Sequence, residues 1–597
     1  MIRKDKKVYA SGLVKTQIRV VESYRPSRGS NSKQRTIKDF GYLENQENQE
    51  EFMKTVKEFN DTYFKNKVPI KLEIDFDTLM YSKENKSLNY GYKLLEAVYN
   101  MLEIDEFIND YTQSHKFKGD YFLNEIFKFL VILRILNPDS KRATFQLKNN
   151  FYGMNTSFDL QDVYLALDKF TDFEVELQRH LNEEVKRTIG RDLSHAFYDV
   201  TNYFFEIDFP DSENDLRQKG VSKEHQITPI TAMGLFMDSN ALPVCMSIFP
   251  GNTSESLTLI PTMEDVKKSY ELGRIVVVAD KGLNTSNNIN AAVNNGDGYV
   301  FSQILRGKKG QRYHEQLFES SGWVIKNDNY KYKLFEEDYI GKDKDGKQVN
   351  RKRKVLLYWD ASDASMARKK REEKLIKAEK NVKNNSYSIK KGVDEYTKEE
   401  IIDSYSGELL EDITKLRSVD LEKAEHDALY DGYFCIITSE LDYDENKIRE
   451  VYHGLWRIEQ SFRIMKSDLY ARPVFVFKNE HIRAHFLICF VALLIVRIIQ
   501  HKLDENALSA ERIARALNAA TLKQFKNGTV LLDDIGGVIA FQKTINKDGK
   551  EVDTLAISTE DEIAEDYKIL KDLFGIQNSS VVQRREDFNR FLKNIKL

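Results

Sequence analysis

Three acidic residues stand out because each lies in a strand or helix pattern where a carboxylate can do chemistry. Asp199 falls inside the apolar strand pattern FYDVTNYFF, where burying a carboxylate without a partner costs several kcal/mol, so it needs a cation or a metal. Asp280 ends the run IVVVAD, at the carboxyl end of a strand, where α/β sheets place ligand-binding groups. Glu459 lies in the helical stretch EVYHGLWRIEQSFRIMKSDL.

Two carboxylates on strands of one sheet and a third on a helix packed against it can bind two divalent ions, because hard cations prefer oxygen ligands. In phosphodiester chemistry one ion activates the attacking oxygen and the other stabilises the leaving oxygen. Each residue also has an ordinary structural explanation. Asp199 suits a solvent-facing position on an edge strand, Asp280 suits a turn, and Glu459 suits a surface ion pair with Arg463.

The helix around Glu459 carries a second signal. Tyr452, Glu459, Arg463 and Lys466 follow one another at intervals of seven, four and three residues, which places them on one helix face. A carboxylate flanked on its own face by a tyrosine and two cations is suited to a phosphate near a metal ion.

Other chemistries fit the sequence less well. His481 and His485 have the spacing of a zinc pair, but HIRAH lacks the glutamate of HExxH, and a polar pair at the start of a buried helix explains them better. Neither GxxxxGK[ST] nor GxGxxG after a strand is present, so a nucleotide-driven mechanism lacks its phosphate loop.

The charge of the whole chain does not indicate nucleic-acid binding. The sequence has 90 Lys and Arg residues against 94 Asp and Glu residues, a formal net charge of -4. Two segments are locally basic, since residues 1–39 contain 11 Lys or Arg against three acidic residues, and residues 368–391 contain ten against three. A polyanion site must therefore come from local segregation of charge, although the second segment also suits a solvated helix.

The elements that must position these residues follow from hydrophobic periodicity and turn signals. They are a β-hairpin over 9–24 and 34–43, helices over about 90–190, strands from His195 with a helix over 287–294, a polar helix from Ser362, and helices over about 445–470 and 479–503. With 597 residues the chain is too long for one domain, and we divide it into six segments. These are an N-terminal basic β-hairpin region (1–80), a helical, DNA-binding domain (81–192), the first part of a catalytic core (193–305), an insertion subdomain (306–429), the second part of the core (430–505) and a C-terminal region (506–597).

The cysteines and the longest apolar run indicate a soluble intracellular protein. Each cysteine lies in an apolar run without ligand spacing, as expected of reduced core residues: Cys245, Cys435 and Cys489. The N-terminus lacks the apolar segment of a signal peptide. The run 486–496 is too short to span a bilayer and predicts a buried core helix.

Several segments, taken in order, resemble transposases of bacterial insertion sequences in the DDE class, in the group with a β-rich insertion before the glutamate. The segments are YDVTNYFFE, KGVSKEHQITPI, FPGNTSESLTLIP, VVVADKG, YDGYFCIITS and YHGLWRIEQSFRIMKSDLYARPVFVF. They are spread over about residues 195–500, and the N-terminal hairpin with SYRPSRG and DFGYLE is similar to that group's amino end. The resemblance implies an α/β fold, with an RNase H-like catalytic core, an inserted β-rich and helical subdomain, and a preceding β-hairpin and helical domain.

The same resemblance implies roles for individual residues. Asp199, Asp280 and Glu459 correspond to the family's catalytic, metal-binding triad. The family's helix signature, Tyr-x2-Arg-x3-Glu-x6-Lys, places its tyrosine at Tyr452 and its lysine at Lys466, whereas its arginine position holds Leu455. The expected DNA-binding residues are Tyr452, Arg463, Lys466, Lys223 and Lys281.

The function that the resemblance implies is DNA transposition. Family members use Mg²⁺ or Mn²⁺, two ions per active site, to cut DNA at terminal inverted repeats and join the 3'-hydroxyl ends to target DNA. The implied partners are double-stranded DNA and a second copy of the chain or a higher oligomer, with no membrane, in the nucleoid-associated bacterial cytoplasm. Two alternatives stay open, namely a transposase-derived DNA-binding protein without cleavage and an RNase H-like structure-specific nuclease.

Overall fold

The structure, a computed structural model, forms two compact units, Met1–Ser82 and Lys83–Leu597. Each unit has its own hydrophobic core. The residues that the structure describes are 2–8, 13–24, 33–46, 48–65, 86–115, 122–210, 212, 215–221, 227–270, 273–383, 395–403, 413–504, 507–525, 528–533, 535, 540–545, 551–556, 559–576 and 581–597.

The first unit is a three-stranded antiparallel sheet with a helix on one face. Its elements are β1 (Ile2–Val8), β2 (Val14–Tyr24), β3 (Lys33–Tyr42) and α1 (Gln49–Lys65). Ile18 and Val20 lie two residues apart on β2, so they share a face and form a core with Val56 of α1. The predicted hairpin corresponds to β2 and β3. The sequence did not predict β1, because the charged stretch IRKDKKV has no strand pattern of its own.

A layer of helices begins the second unit, in the stretch where periodicity predicts helices. The unit begins with a short strand, β4 (Leu88–Asn89). The helices that follow are α2 (Tyr92–Met101), α3 (Ile104–Ser114), α4 (Leu123–Leu136), α5 (Lys141–Gln146), α6 (Leu160–Phe170) and α7 (Glu174–Thr188). Helix α4 is apolar on nearly every side and is buried almost throughout, as expected for the central helix of such a layer. Helix α6 begins at a capping box formed by Asp159 and Asp162.

The centre of the second unit is a nine-stranded mixed sheet. The elements that follow α7 up to the last parallel strand are β5 (His195–Phe204), β6 (Ile230–Met237), β7 (Pro243–Pro250), α8 (Leu259–Tyr270), β8 (Val276–Ala279), α9 (Ser286–Asn294) and β9 (Gly298–Ser302). In space these strands follow the order β7, β6, β5, β8, β9. Strand β5 is parallel to β8, and β8 to β9, whereas the pairs β5 with β6 and β6 with β7 are antiparallel.

The stretch between β9 and Glu459 extends this sheet. Its elements are α10 (Gly307–Gly310), α11 (His314–Phe318), β10 (Val324–Asn327), β11 (Tyr330–Lys342), β12 (Gln348–Asp360), α12 (Ala361–Lys383), β13 (Thr397–Asp403), β14 (Ile413–Val419), α13 (Leu421–Ala428) and β15 (Tyr433–Thr438). Strands β15, β12, β11 and β10 continue the sheet in antiparallel order beyond β9, while β13 and β14 pair only with each other among the described strands. The predicted polar helix is α12, and residues 384–391 of the basic segment lie outside the described residues.

The helix predicted over 445–470 is divided in the structure, so that prediction was wrong in detail. It consists of α14 (Glu445–His453), α15 (Trp456–Arg463) and a π-helical segment (Ile464–Asp468), with a turn at Gly454. The turn has a physical cause, because a Cβ on Gly454 would lie 2.3 Å from the Phe197 ring of β5. Only glycine therefore allows the chain to bend this close to the sheet.

The apolar run 486–496 lies in the buried helix α16 (Asn479–Leu503), as predicted. By length and composition this is the one helix of the described chain that could cross a membrane, but 94% of its most apolar stretch is buried inside the protein. The three cysteines are free and buried, also as predicted. The chain ends with α17 (Ala510–Ala519), β16 (Thr521–Gln524), β17 (Thr529–Leu532), β18 (Ala540–Ile545), β19 (Glu551–Ala556), α18 (Thr559–Leu573), β20 (Val582–Arg584) and α19 (Arg585–Lys593).

Candidate active site

The two aspartates occupy equivalent places on neighbouring parallel strands. Phe197 of β5 pairs with Val278 of β8, and each aspartate lies two residues further along its strand direction. Adjacent strands are about 4.8 Å apart, so this register brings Asp199 and Asp280 to the same edge of the sheet. Both are partly buried. A backbone amide orients each carboxylate, with Val200 donating to Asp199 over 2.7 Å and Gly282 donating to Asp280 over 2.8 Å.

Glu459 lies on α15, a helix that the protein fixes from two sides. The Gly454 turn seats the start of α15 against β5. From the other side, the buried guanidinium of Arg497 on α16 donates hydrogen bonds to Ser461 Oγ at 2.7 Å and to the backbone oxygen of Arg457 at 3.1 Å. Burial lowers the pKa of Arg497 to about 10, and it still carries its charge at neutral pH. The exposed Glu459 carboxylate therefore lies on a helix with a fixed position.

Tyr452 lines the same cavity as Asp280 and Glu459. Burial raises the pKa of the Tyr452 phenol above the usual range, and the charges of Asp280, Glu459 and Asp199 raise it further. A hydrogen bond with Ser302 acts in the opposite direction and lowers this pKa. Charges influence a pKa strongly only over short distances. The three carboxylates are therefore near enough to raise the pKa of Tyr452, and this phenol stays protonated at neutral pH.

A cavity of about 560 Å³ opens beside this tyrosine. Asp280, Glu459 and Tyr452 line it, whereas Asp199 is not among its lining residues. The cavity is also lined by three cations, Lys281, Arg306 and Lys370. Carboxylates on one wall and cations around them suit a site that takes a phosphate together with a metal ion.

The donor types at this site fit a divalent ion, since three carboxylates supply hard oxygen ligands around one point. Their present spacing is wider than an ion requires. Within the parts of the chain that the structure describes, no group of three or more His, Cys, Asp or Glu side chains is close enough to hold a metal. Ion binding by these residues therefore requires their side chains to move closer together.

The other sequence-predicted residues lie in different surroundings. Lys281 lines the cavity. Lys466 lies on the π-helical segment, with Nζ 5.8 Å from the Tyr203 ring centre, and Arg463 is exposed on α15. The structure does not place either of these two in the cavity wall, and Lys223 lies outside the described residues.

Leu455, at the family's arginine position, is a core residue. Only 8% of its surface is exposed, and it belongs to the main hydrophobic cluster. Arg457 does not replace the missing cation at the cavity, because its Nη1 donates to the backbone oxygen of Ser239 at 2.6 Å.

The two histidines of HIRAH do not form a metal pair. His481 lies 2.9 Å from Asp168, while His485 is buried and contacts the backbone oxygen of Ala471 at 3.1 Å. Its other ring nitrogen lies 3.3 Å from Lys141 Nζ. The interpretation as a polar pair at the start of a buried helix is confirmed.

Sequence reasoning missed residues that reach the site from distant segments. The cavity wall includes Arg306 after β9, which nothing in its local sequence marks, and Lys370 of α12, which belongs to the basic segment 368–391. A fourth carboxylate also lies near Asp280, since a Cβ on Gly282 would be 3.1 Å from Asp280 Oδ1 and 3.2 Å from Glu255 Oε2. Glu255 lies in FPGNTSES, one of the segments that carries the family resemblance, so this motif was the available signal.

Two models of known protein families match parts of the chain. Residues 214–495 match the family model of the transposase DDE domain. The matched stretch contains Asp280 and Glu459, whereas Asp199 lies before it. Residues 2–64 match the N-terminal domain of IS1634 family transposases. The two matches together indicate an insertion-sequence transposase of the DDE class. This class acts on DNA and depends on a divalent metal ion.

No curated protein matches the sequence. Among solved structures, the cryo-EM structure of the piggyBac transposase synaptic complex with hairpin DNA is similar over 72% of this chain and 78% of that chain. The sequence identity is 9% and the TM-score is 0.31.

Proposed function

We propose that the chain cuts DNA at the ends of an insertion sequence and joins the freed 3'-hydroxyl ends to target DNA, with Asp199, Asp280 and Glu459 as its catalytic residues. The observation that carries this proposal is the placement of Asp280 and Glu459 in the wall of one cavity, with Asp199 on the strand that pairs with β8 just before Asp280. The test is a nicking assay on duplexes that contain the DNA flanking the coding frame, with and without a divalent ion.

The proposed catalytic core is RNase H-like. Support comes from the order of the five strands β5 to β9. Numbered by their position in the chain, they lie side by side in the sheet in the order third, second, first, fourth, fifth. The first three are antiparallel neighbours and the last two run parallel to the first. In this arrangement the insertion subdomain of residues 306–429 continues the sheet through β10–β12 before the chain returns at β15.

Asp199, Asp280 and Glu459 would hold two Mg²⁺ or Mn²⁺ ions. When bound there, such ions would supply activation of the attacking oxygen and stabilisation of the leaving oxygen. The chain's own part is positioning. The backbone amides of Val200 and Gly282 hold the aspartate carboxylates, and the protonated phenol of Tyr452 adds no negative charge to the site.

The cations of the cavity wall are proposed to hold the DNA backbone beside the carboxylates. Arg306 is positioned for this role, since its guanidinium lies 3.6 Å from Asp427 and 5.8 Å from the Tyr430 ring centre. Two ends must be cut, so we propose a homodimer or a higher oligomer on DNA, acting in the bacterial cytoplasm.

Lys370 provides a test of this cavity with a neighbouring control. We expect Lys370→Ala to weaken binding to every duplex and to reduce the salt slope of the binding constant by about one unit, the loss of one phosphate contact. Lys369→Ala removes an equal charge from an exposed side chain outside the cavity wall. Its salt slope should stay at the wild-type value, and equal losses in the two variants would mean that DNA does not enter the cavity along α12.

Lys466 gives a second phosphate test on the helix that carries Glu459. Lys466→Ala should weaken binding to end and random duplexes alike, again with a salt slope lower by about one unit. Binding curves at several salt concentrations provide the measurement. A slope equal to that of the wild type would show that Lys466 makes no phosphate contact.

Two alternative functions are distinguished by the same substrates. A transposase-derived DNA-binding protein would bind end duplexes without nicking them in any divalent ion. A structure-specific nuclease would cut branched or random duplexes as well as it cuts the ends. Preference for end duplexes together with cleavage supports the transposase.

A further inference from the structure

The sheet of the N-terminal unit has two faces of different character. Helix α1 covers one of them, where Ile18, Val20 and Val56 are fully or almost fully buried. No described element of this unit covers the opposite face. Because side chains alternate along a strand, that open face collects every second residue of β1 and, on β2, every second residue as far as Arg19. Val21, the next position in this alternation, is only 2% exposed, so the open part of the face ends at Arg19. On these strands and β3 it carries Arg3, Asp5, Lys7, Lys15, Gln17, Arg19, Asp39 and Tyr42.

Contacts across the strands confirm that these side chains share one face. The carboxylate of Asp5 accepts from Arg3 Nε at 2.8 Å and also pairs with Arg19. Gln17 Nε2 donates to Asp39 Oδ2 at 2.5 Å. The two carboxylates therefore hold the arginines and the glutamine in fixed orientations.

One edge of the open face carries two lysines beside an aromatic ring. The Nζ atoms of Lys7 and Lys15 lie 5.7 Å and 5.8 Å from the ring centre of Tyr42. Lys7 also donates to the Tyr42 hydroxyl at 3.3 Å. The face thus combines two arginines and a glutamine in its middle with two lysines at one edge.

We propose that this open sheet face enters the major groove of the element-end duplex, with Gln17 and Arg19 contacting base edges. The proposal rests on the proposed function and specifies how that function selects its DNA. Residues 1–39 contain 11 Lys or Arg against three acidic residues, so the occupant is a polyanion. The major groove is about 12 Å wide and admits a β-ribbon, and among the described residues of this unit no helix lies on the open face to compete for it.

The residue types on the face separate base reading from backbone binding. Arginine pairs with guanine, and glutamine pairs with adenine, through two hydrogen bonds each. Gln17 uses one donor on Asp39, and a glutamine side chain retains a second donor and an acceptor for such a pair. Lys7 and Lys15 at the edge of the face suit phosphates, which flank the groove and carry no sequence information.

Gln17→Ala is the discriminating variant because glutamine carries no charge. In the full-length protein we expect it to lower affinity for the flanking end duplex roughly 5- to 150-fold, the equivalent of about 1–3 kcal/mol for one base pair contact. Affinity for a shuffled duplex of the same composition, and the salt slope on both, should stay at wild-type values. Melting temperature reports whether the variant is folded.

Lys54→Ala and Lys57→Ala provide controls from the opposite side of the unit. Both lysines are exposed on α1, the helix that covers the other sheet face. They should leave the ratio of end-specific to shuffled binding unchanged. If they reduce this ratio while Gln17→Ala does not, helix α1 reads the DNA and the proposal is wrong.

Methylation interference locates the groove. Methylation of guanine N7 occupies the major groove, and methylation of adenine N3 occupies the minor groove. At guanines next to the bases whose contribution disappears in Gln17→Ala, where Arg19 is expected to bind, N7 methylation should block binding by the wild type, whereas N3 methylation of the adenines should not. Interference confined to adenine N3 would overturn the major-groove assignment.

Failure of this inference is distinguishable from failure of the proposed function. A wild type that binds and nicks end duplexes, together with a Gln17→Ala variant of equal specificity, overturns the inference alone. A wild type that binds no duplex overturns both, and preferential binding to single-stranded RNA of the same sequence would assign the face to a different partner.

Discussion

Asp199→Asn, Asp280→Asn and Glu459→Gln should each abolish strand nicking while leaving specific DNA binding largely intact. Each change removes the negative charge of a proposed metal ligand with little change in shape, and a rate that depends on metal-assisted phosphoryl transfer then falls by several orders of magnitude. Nicking of end duplexes in Mg²⁺ gives the rate, and a binding titration without a divalent ion gives the affinity.

Glu450→Gln is the matched control for these variants. Glu450 is an exposed carboxylate on α14, in the same part of the chain as Glu459, but it does not line the cavity and pairs with Lys447 at 3.2 Å. Its nicking rate should equal that of the wild type. Retention of more than a few per cent of activity in any one of the three triad variants would remove that residue from the catalytic assignment.

Leu455→Arg should strongly destabilise the protein, although it restores the family's residue. The Leu455 side chain is buried in the main core beside the Gly454 turn, so an arginine there must bury an unpaired charge or unfold the turn. A cost of about 3 kcal/mol or more is expected from an uncompensated buried charge. Thermal and urea unfolding of the full-length chain measure it.

Leu165→Arg is the control for the added arginine. Leu165 lies on α6 with 42% of its surface exposed, so the same substitution should change stability by about 0.5 kcal/mol or less. A Leu455→Arg variant that melts like the wild type and binds DNA more tightly would show that this position faces DNA.

The strands that carry the aspartates could be predicted from the sequence because their signal is local. Asp199 and Asp280 each belong to a short apolar run, and such runs form buried strands whatever the rest of the chain does. The position of Glu459 on a helix was equally local. The assignment of Glu459 to one site with the two aspartates depended on the family resemblance, because periodicity gives no information on how α15 packs against β5.

The features that escaped prediction depend on contacts between distant segments. The division of the helix near Gly454 follows from the approach of this residue to Phe197, more than 250 positions earlier in the chain. The burial of Leu455 has the same origin. Arg306 and Lys370 reach the cavity because the insertion returns to the main sheet through β12 and β15, a pairing that no local pattern specifies.

The most direct test of the central claim is a metal-specificity switch at the proposed ligands. Replacing Asp280 by cysteine substitutes a soft thiolate for a hard carboxylate, and thiolates bind Mg²⁺ poorly but accept softer ions such as Mn²⁺. With end duplexes, the Asp280→Cys variant should be inactive in Mg²⁺ and regain nicking in Mn²⁺, whereas Asp280→Ala should be inactive in both. Equal nicking by Asp280→Cys in the two ions, or recovery of Asp280→Ala in Mn²⁺, would contradict a metal-ligand role for Asp280 and with it the proposed active site.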